Sequence, residues 1–204
     1  THPAPGSKTV AVSAEFLPAV GTALNDCSWE DISKIAAAGL ASTYWSVGAT
    51  KTITINGTVG TLSLSNLSVD VFILGFDHNS SVEGSNRIHF QIGKISSKLI
   101  GLTDSGYNNY YTNGAKYFNM NHWGNYNYGG WAGCDLRYDV LGSTDVPPSG
   151  YGSTVTTSRV GYNASATCAT KPVANTLMAA LPADLRAVMK GVTKYADAVG
   201  NSSN

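Results

Sequence analysis

Charge is scarce in this chain of 204 residues. Lys, Arg, Asp and Glu together make up 13% of it, about half the usual globular share of roughly 25%. The 13 basic and 13 acidic residues cancel, so the formal net charge is zero. That argues against a nucleic-acid binder, which needs a basic stripe to neutralise phosphates. Long apolar runs are missing too: none approaches the roughly 18 residues of a membrane-spanning helix. Only three glutamates are present, which disfavours a glycosidase built on paired Glu, although not one built on Asp. The three cysteines, Cys27, Cys134 and Cys168, lie far apart and form no C-x-x-C pair, so zinc and thioredoxin-like motifs have no support. One disulfide plus one free thiol has three choices of pair. Three separate buried thiols fit equally and are slightly preferred. A nucleophile elbow, a phosphate-binding glycine loop and an EF-hand loop are all absent from the sequence.

Small and hydroxylated residues fill the space left by charge: 22 Gly, 22 Ser, 19 Thr and 16 Asn. Hydrophobic content nevertheless stays at 43%, with 11 Tyr and 4 Trp. That is ample for one core and too apolar for a disordered chain. The composition is that of a neutral, β-leaning domain with an uncharged polar surface, common among extracellular and virion-surface proteins. The numbering opens at Thr1 with no charged-then-apolar leader, and reads as a fragment or processed product. Sequons begin at Asn56, Asn66, Asn79, Asn163 and Asn201. So many are expected by chance in this composition, and glycosylation is not read from them.

Residues 1–21, rich in Pro, Ala and Ser, read as a linker or docking arm. A single globular domain is expected over 22–196, and a polar tail over 197–204. Ser28 and Asp31 resemble a capping box, with Asp in place of Glu. Ile32, Ile35 and Ala36 then share one helical face, and Gly39 is a natural stop. From Trp45 to Ile100 the period becomes two. Thr52, Thr54 and Thr58 alternate with Ile53, Ile55 and Val59 around Asn56-Gly57, a strong hairpin signal. Val69 to Phe76 is nearly all apolar, as in a strand covered on both faces. Arg87 to Lys94 reads as a further strand, with Ile88, Phe90 and Ile92 on one side and Arg87, His89 and Gln91 on the other.

Residues 106–138 differ in character, holding 7 Tyr, 7 Asn, Trp123 and Trp131. They read as loops with short strands. Asp135 to Leu141 is a candidate helical turn, and Asp145 to Lys171 a loop region. Leu177 to Leu181 and Pro182 to Lys190 read as two short helices, with Pro182 in a first helical position. The expected fold is α+β: a single compact domain, mainly antiparallel sheet, with a few short helices and long aromatic loops.

Two stretches could carry chemistry. Asp77-His78 with Glu83 is the densest acid-plus-His stretch, and with His89 it could form a metal or acid/base site. The spacing is awkward for a metal motif. A polar loop over Asp77 to Asn86, with His89 on the polar face of a strand, is preferred. The second stretch is the stronger candidate. Tyr and Trp offer large contact area at low entropic cost, and Asn and Ser adaptable hydrogen bonds. Tyr107, Tyr110, Tyr111, Trp123, Tyr126 and Tyr128 are the candidate ligand-binding residues. The same rings could equally fill the core of a loop-rich domain, and Trp131 is assigned there.

Several ordered motifs resemble an uncharacterised domain family of gut Firmicute proteins and their phages and prophages. They are Asn25-Asp26-Cys27-Ser28-Trp29-Glu30-Asp31-Ile32, Tyr44-Trp45-Ser46-Val47-Gly48, Ile73-Leu74-Gly75-Phe76-Asp77-His78-Asn79, Arg87-Ile88-His89-Phe90-Gln91, Gly129-Gly130-Trp131 and Leu181-Pro182-Ala183-Asp184-Leu185-Arg186. The family has no established activity. The resemblance implies a domain appended to phage virion, tail or bacterial surface proteins, often near adhesive modules. Gly129-Gly130-Trp131 followed by Leu136-Arg137 is also loosely similar to C-type-lectin-like domains, without their calcium-binding Glu-Pro-Asn type of motif.

The expectation is therefore a non-catalytic virion, tail-associated or cell-surface domain that binds a bacterial surface glycan or protein through the Tyr/Asn/Trp-rich loops. No cofactor, metal, nucleic acid or membrane span is expected. Virion or surface-protein neighbours would be met through the N-terminal arm, and a homo-oligomer is expected. The alternatives are a structural capsid or tail decoration module without external ligand and, a distant third, a cell-wall glycan hydrolase using Asp77, His78 and His89.

Overall fold

A computed structural model describes residues 17–60, 62–93, 141–142, 159–164 and 167–197. Among the described residues the architecture is α+β: a three-stranded antiparallel sheet, a two-stranded ribbon and several short helices.

Helix α1 (Trp29–Ala37) forms where its sequence signals place it. Ser28 Oγ accepts the Asp31 N–H at 3.0 Å and in turn donates to the Asp31 carboxylate at 2.6 Å, a cap worth about 1 kcal/mol. The helix ends in a reciprocal pair of bonds, Gly39 N–H to Ala36 O and Leu40 N–H to Ile35 O, with Gly39 at φ +74. That is the left-handed exit glycine allows most cheaply. Trp29, Ile32, Ile35 and Ala36 are buried. Helix α2 (Ala41–Tyr44) follows at once.

Strands β1 (Thr50–Val59), β2 (Leu62–Phe76) and β3 (Ile88–Ile92) form the sheet in the order β1-β2-β3. Its inner face carries Ile53, Ile55, Val59, Val69, Val71 and Ile73, all buried. Trp29 meets Phe90 of β3 edge-on, with ring centroids 5.3 Å apart. Lys51 of β1 lies over the same indole at 5.6 Å and donates to the carbonyls of Asn25 and Cys27. Asn25 also accepts the Thr52 N–H at 2.9 Å, occupying a backbone donor on edge strand β1.

Two expectations are corrected here. Asn56-Gly57 is not the hairpin turn; the chain reverses after Gly60, whose N–H donates to Asn175 O. Ile55 pairs with Leu67 and Gly57 with Leu64, so Asn56 faces both Ser65 and Asn66 across a bulge. Asn66 takes φ +48 and gives its N–H to Asn56 Oδ1. The second correction concerns Val69 to Phe76, whose two faces are not both covered. Val69, Val71 and Ile73 are buried, Asp70 is exposed and Phe72 only half-buried. Leu74 is the extra residue of a second bulge, between the pairs Ile73–Phe90 and Gly75–His89, and is thrown outward.

Further along, α4 (Thr167–Thr170), α5 (Leu177–Ala180) and α6 (Ala183–Val188) close the core. Pro182 caps α6 rather than opening it. Buried Thr176 caps α5, accepting from Ala179 N–H and donating to Val173 O. The guanidinium of Arg186 donates to Leu181 O and Ala169 O, joining α4 to the link before α6. The expected loop between Asp145 and Lys171 in fact contains β4 (Arg159–Ala164) as well as α4. Strand β4 pairs antiparallel with β5 (Val192–Asp197), from Arg159–Asp197 to Ala164–Val192.

Candidate functional site

The outer face of the three-stranded sheet is open to solvent. Thr50, Thr52, Thr54, Asn56 and Thr58 of β1 and Ser63, Ser65 and Ser68 of β2 are exposed. Asp70 is the acid among them, and its carboxylate accepts from Thr52 Oγ1 at 2.8 Å. An antiparallel sheet can keep one face wet in this way.

The aromatic stretch lies, in the chain, between the described residues Gly93 and Leu141. It follows Gly93, whose N–H donates to Asp70 O at 2.7 Å. A Cβ at Gly93 would lie 3.0 Å from that same oxygen. At the other end Leu141 packs against the core. Gly142, at φ +74, abuts Thr176 so closely that a Cβ would come 2.9 Å from its Cγ2. The candidate residues Tyr107, Tyr110, Tyr111, Trp123, Tyr126 and Tyr128 lie outside the described residues, as do Trp131 and all but the last residue of the candidate turn over Asp135 to Leu141.

The acid-plus-His stretch forms the turn between β2 and β3. Asp77, at φ +50, closes that turn: its N–H donates to Arg87 O, and its Oδ1 accepts the Arg87 N–H at 2.8 Å. Helix α3 (Ser80–Glu83) follows. The rings of His78 and His89 stack, centroids 4.9 Å apart and 14° from parallel. Glu83, its side chain 1% exposed, pairs with His89 Nε2 at 3.3 Å. His78 sits directly on Gly75, where any Cβ would strike its ring. The structure therefore brings together His78, His89 and Glu83, while Asp77 is engaged by backbone. Near-parallel stacked rings direct their in-plane lone pairs along separate planes, which is unsuited to sharing one ion. Among the described residues, no group of three His, Cys, Asp or Glu converges as a metal site.

Cys27 is a free, buried thiol, so the two disulfide pairings that include it do not form. Burial, then the nearby Asp31 and Asp26 charges, push its pKa up, opposed in part by Lys51. The Cys27 thiol should therefore react with a thiol reagent far more slowly in native than in unfolded protein at neutral pH. The raised pKa also has a definite linkage sign. Its contribution to stability is complete below the ordinary thiol value of about 8.5 and is lost as pH climbs through the higher folded value. Denaturant midpoints at mildly and strongly alkaline pH should fall less in Cys27→Ala than in the wild type.

Compared with known proteins, the chain matches no family model, no curated sequence and no solved structure. Among the described residues, no helix is long and apolar enough to cross a membrane.

Proposed function

We propose that this protein is a non-catalytic recognition domain of a phage virion, phage tail or bacterial surface protein, binding a bacterial surface glycan or protein. The observation that supports the reading is the fixing of the chain on either side of residues 94–140, which include the aromatic stretch. Gly93 and Leu141–Gly142, the described residues that flank 94–140, are tied into the core, and the segment rich in Tyr, Asn and Trp lies between them in the chain. Binding residues are commonly carried on loops held in this way. The motif resemblance to the Firmicute and phage family agrees with that setting, and a C-type-lectin-like arrangement of the loops is the form the reading takes. Binding as a homo-oligomer would add avidity to weak single contacts.

A glycan array and whole-cell binding with a multimerised domain test it. Trp123→Ala and Tyr110→Ala should each weaken binding by about tenfold or more, as hot-spot rings do, while the melting temperature stays nearly unchanged. Unfolding of both variants would place those rings in the core and sink the assignment.

A structural decoration module is the second reading, and one observation favours it. Leu17 packs on the core, Tyr44 Oη donates to Pro18 O at 2.8 Å, and Trp45 Nε1 donates to Thr22 O at 3.0 Å. The segment after residue 16 is thus packed on its own domain, and on this reading the docking contacts would come from the residues before it.

A further inference from the structure

Asn56-Gly57 has no part in recognition through residues 106–138. Asn is a thermolabile residue, and its amide is most labile before glycine, where no side chain hinders the approach of the next backbone nitrogen. The structure puts this pair inside β1 and not in a turn. Asn56 is exposed, so water reaches its amide. Its Oδ1 accepts the Asn66 N–H across the bulge at 3.3 Å. Gly57 pairs with Leu64 of β2 and stands against Ala180, whose Cα would lie 3.3 Å from an added Cβ.

We infer that Asn56 is a deamidation site gated by the fold: it is closed while β1 and β2 are paired around the bulge, and it reacts when that pairing comes apart. The only co-reactant is water. The Gly57 backbone nitrogen loses its proton and bonds to Asn56 Cγ. The Cγ–Nδ2 bond breaks, and Nδ2 leaves as ammonia, taking up that proton. Water then opens the cyclic imide at either of its carbonyls. Opening at Cγ gives aspartate on an unchanged backbone. Opening at the Asn56 backbone carbonyl gives isoaspartate, whose main chain runs through Cβ and Cγ. Nothing is oxidised or reduced.

The gate is the extended backbone. In a strand the next nitrogen points away from the preceding side chain, and reaching Cγ requires the peptide between them to rotate out of the strand. Rotation at Asn56 gives up the pairing of Gly57 with Leu64, and the contact with Ala180 leaves it little room. The Asn66 N–H polarises the Asn56 carbonyl, which by itself would help attack, but it also ties the amide to β2. A nitrogen that cannot reach Cγ gains nothing from that polarisation. Asn66 makes the bond from φ +48, a conformation Asn tolerates better than most residues. The two products fare differently in the fold. Aspartate still offers an oxygen to the Asn66 N–H. Isoaspartate lengthens the main chain and puts residues 57–59 out of step with Leu62–Leu64, so an opened strand pair that reacts this way cannot close again.

The full chain, native and in concentrated guanidinium chloride, is held in mildly alkaline buffer while the peptide carrying Asn56 is followed by mass and isoaspartate content. Asn113-Gly114, the other Asn-Gly in the sequence, calibrates the chemistry in denaturant, where the two pairs should react alike. Asn56 should deamidate more slowly in native protein by about tenfold or more, the factor set by how rarely the strand pair opens. Asn66→Ala keeps the N–H but is strained at positive φ, and should raise the native rate without changing the rate in denaturant. Asn66→Gly is at ease there and should not raise it. After removal of denaturant, the aspartate product should refold and the isoaspartate product should not. Equal native and denatured rates, no reaction at Asn56 in denaturant, or isoaspartate chains that regain the native melting temperature would each overturn the inference. So would an Asn66→Ala protein that folds and keeps the wild-type rate, or an Asn66→Gly protein that reacts as fast as Asn66→Ala. The wild-type comparison decides the matter even if Asn66→Ala does not fold.

Discussion

Trp29→Ala should destabilise the protein by about 3–5 kcal/mol, the range for removing a buried large aromatic side chain. The indole is 4% exposed and stands where three elements meet. It belongs to the first turn of α1, meets Phe90 on edge strand β3, and lies beneath Lys51 of the opposite edge strand β1. Truncation therefore opens a cavity and removes an edge-to-face ring contact, itself worth about 0.5–1.5 kcal/mol beyond its buried area. It also leaves the Lys51 stem unsupported while its ammonium remains bonded to Asn25 and Cys27 carbonyls. Urea denaturation should show a large fall in midpoint. Trp29→Phe should recover part of it, because the ring contact survives. A loss below about 1 kcal/mol, the level of an ordinary surface change, would mean that α1 does not seal the sheet through this residue.

Gly57→Ala should cost about 2–4 kcal/mol, combining a backbone conformation favouring glycine with overpacking. Gly57 has φ +153, and an added Cβ would lie 3.2 Å from Ala180 Cβ and 3.3 Å from Ala180 Cα. The obstacle is helix backbone, which cannot swing aside as a side-chain tip can. Gly48→Ala is the control. Gly48 has φ +89 with nothing within 4 Å of the added carbon, so that change should show only the backbone term, about 1 kcal/mol. Equal losses at the two positions would show that Ala180 does not press on β1. A hairpin turn at Asn56-Gly57 would not place the side-chain-free residue against a helix, so the pair of variants also separates the two chain paths.

Local signals were legible where the forces are local. Ser28 and Asp31 cap α1, and Gly39 ends it, because all the bonds involved span a few residues. The alternation of Thr52 to Ile55 became the buried and exposed sides of β1. Ile88, Phe90 and Ile92 likewise share a side of β3, with Phe90 against Trp29. The apolar run Val69 to Phe76 misled because composition reports hydrophobicity and says nothing of which face has a cover. Strands β4 and β5 were missed for a related reason: they find their partners in each other, across three helices of intervening chain. The aromatic candidates rest on composition alone, whereas the sequence already offered His78, Glu83 and His89 together and only the fold set their stacking and pairing.

By itself the amino-acid sequence determined the α+β character, the capped first helix, the alternating strands and the uncharged polar surface. Each follows from residue type and spacing within one element, where periodicity decides which side chains share a face. The tertiary structure alone decided that β1 runs through Asn56-Gly57, that Gly57 gives room to Ala180, and that Gly75 lies beneath His78. It alone also set the burial of Glu83 against His89. These are meetings between residues distant along the chain or aligned by bulges, and a bulge changes the register that sequence alternation assumes.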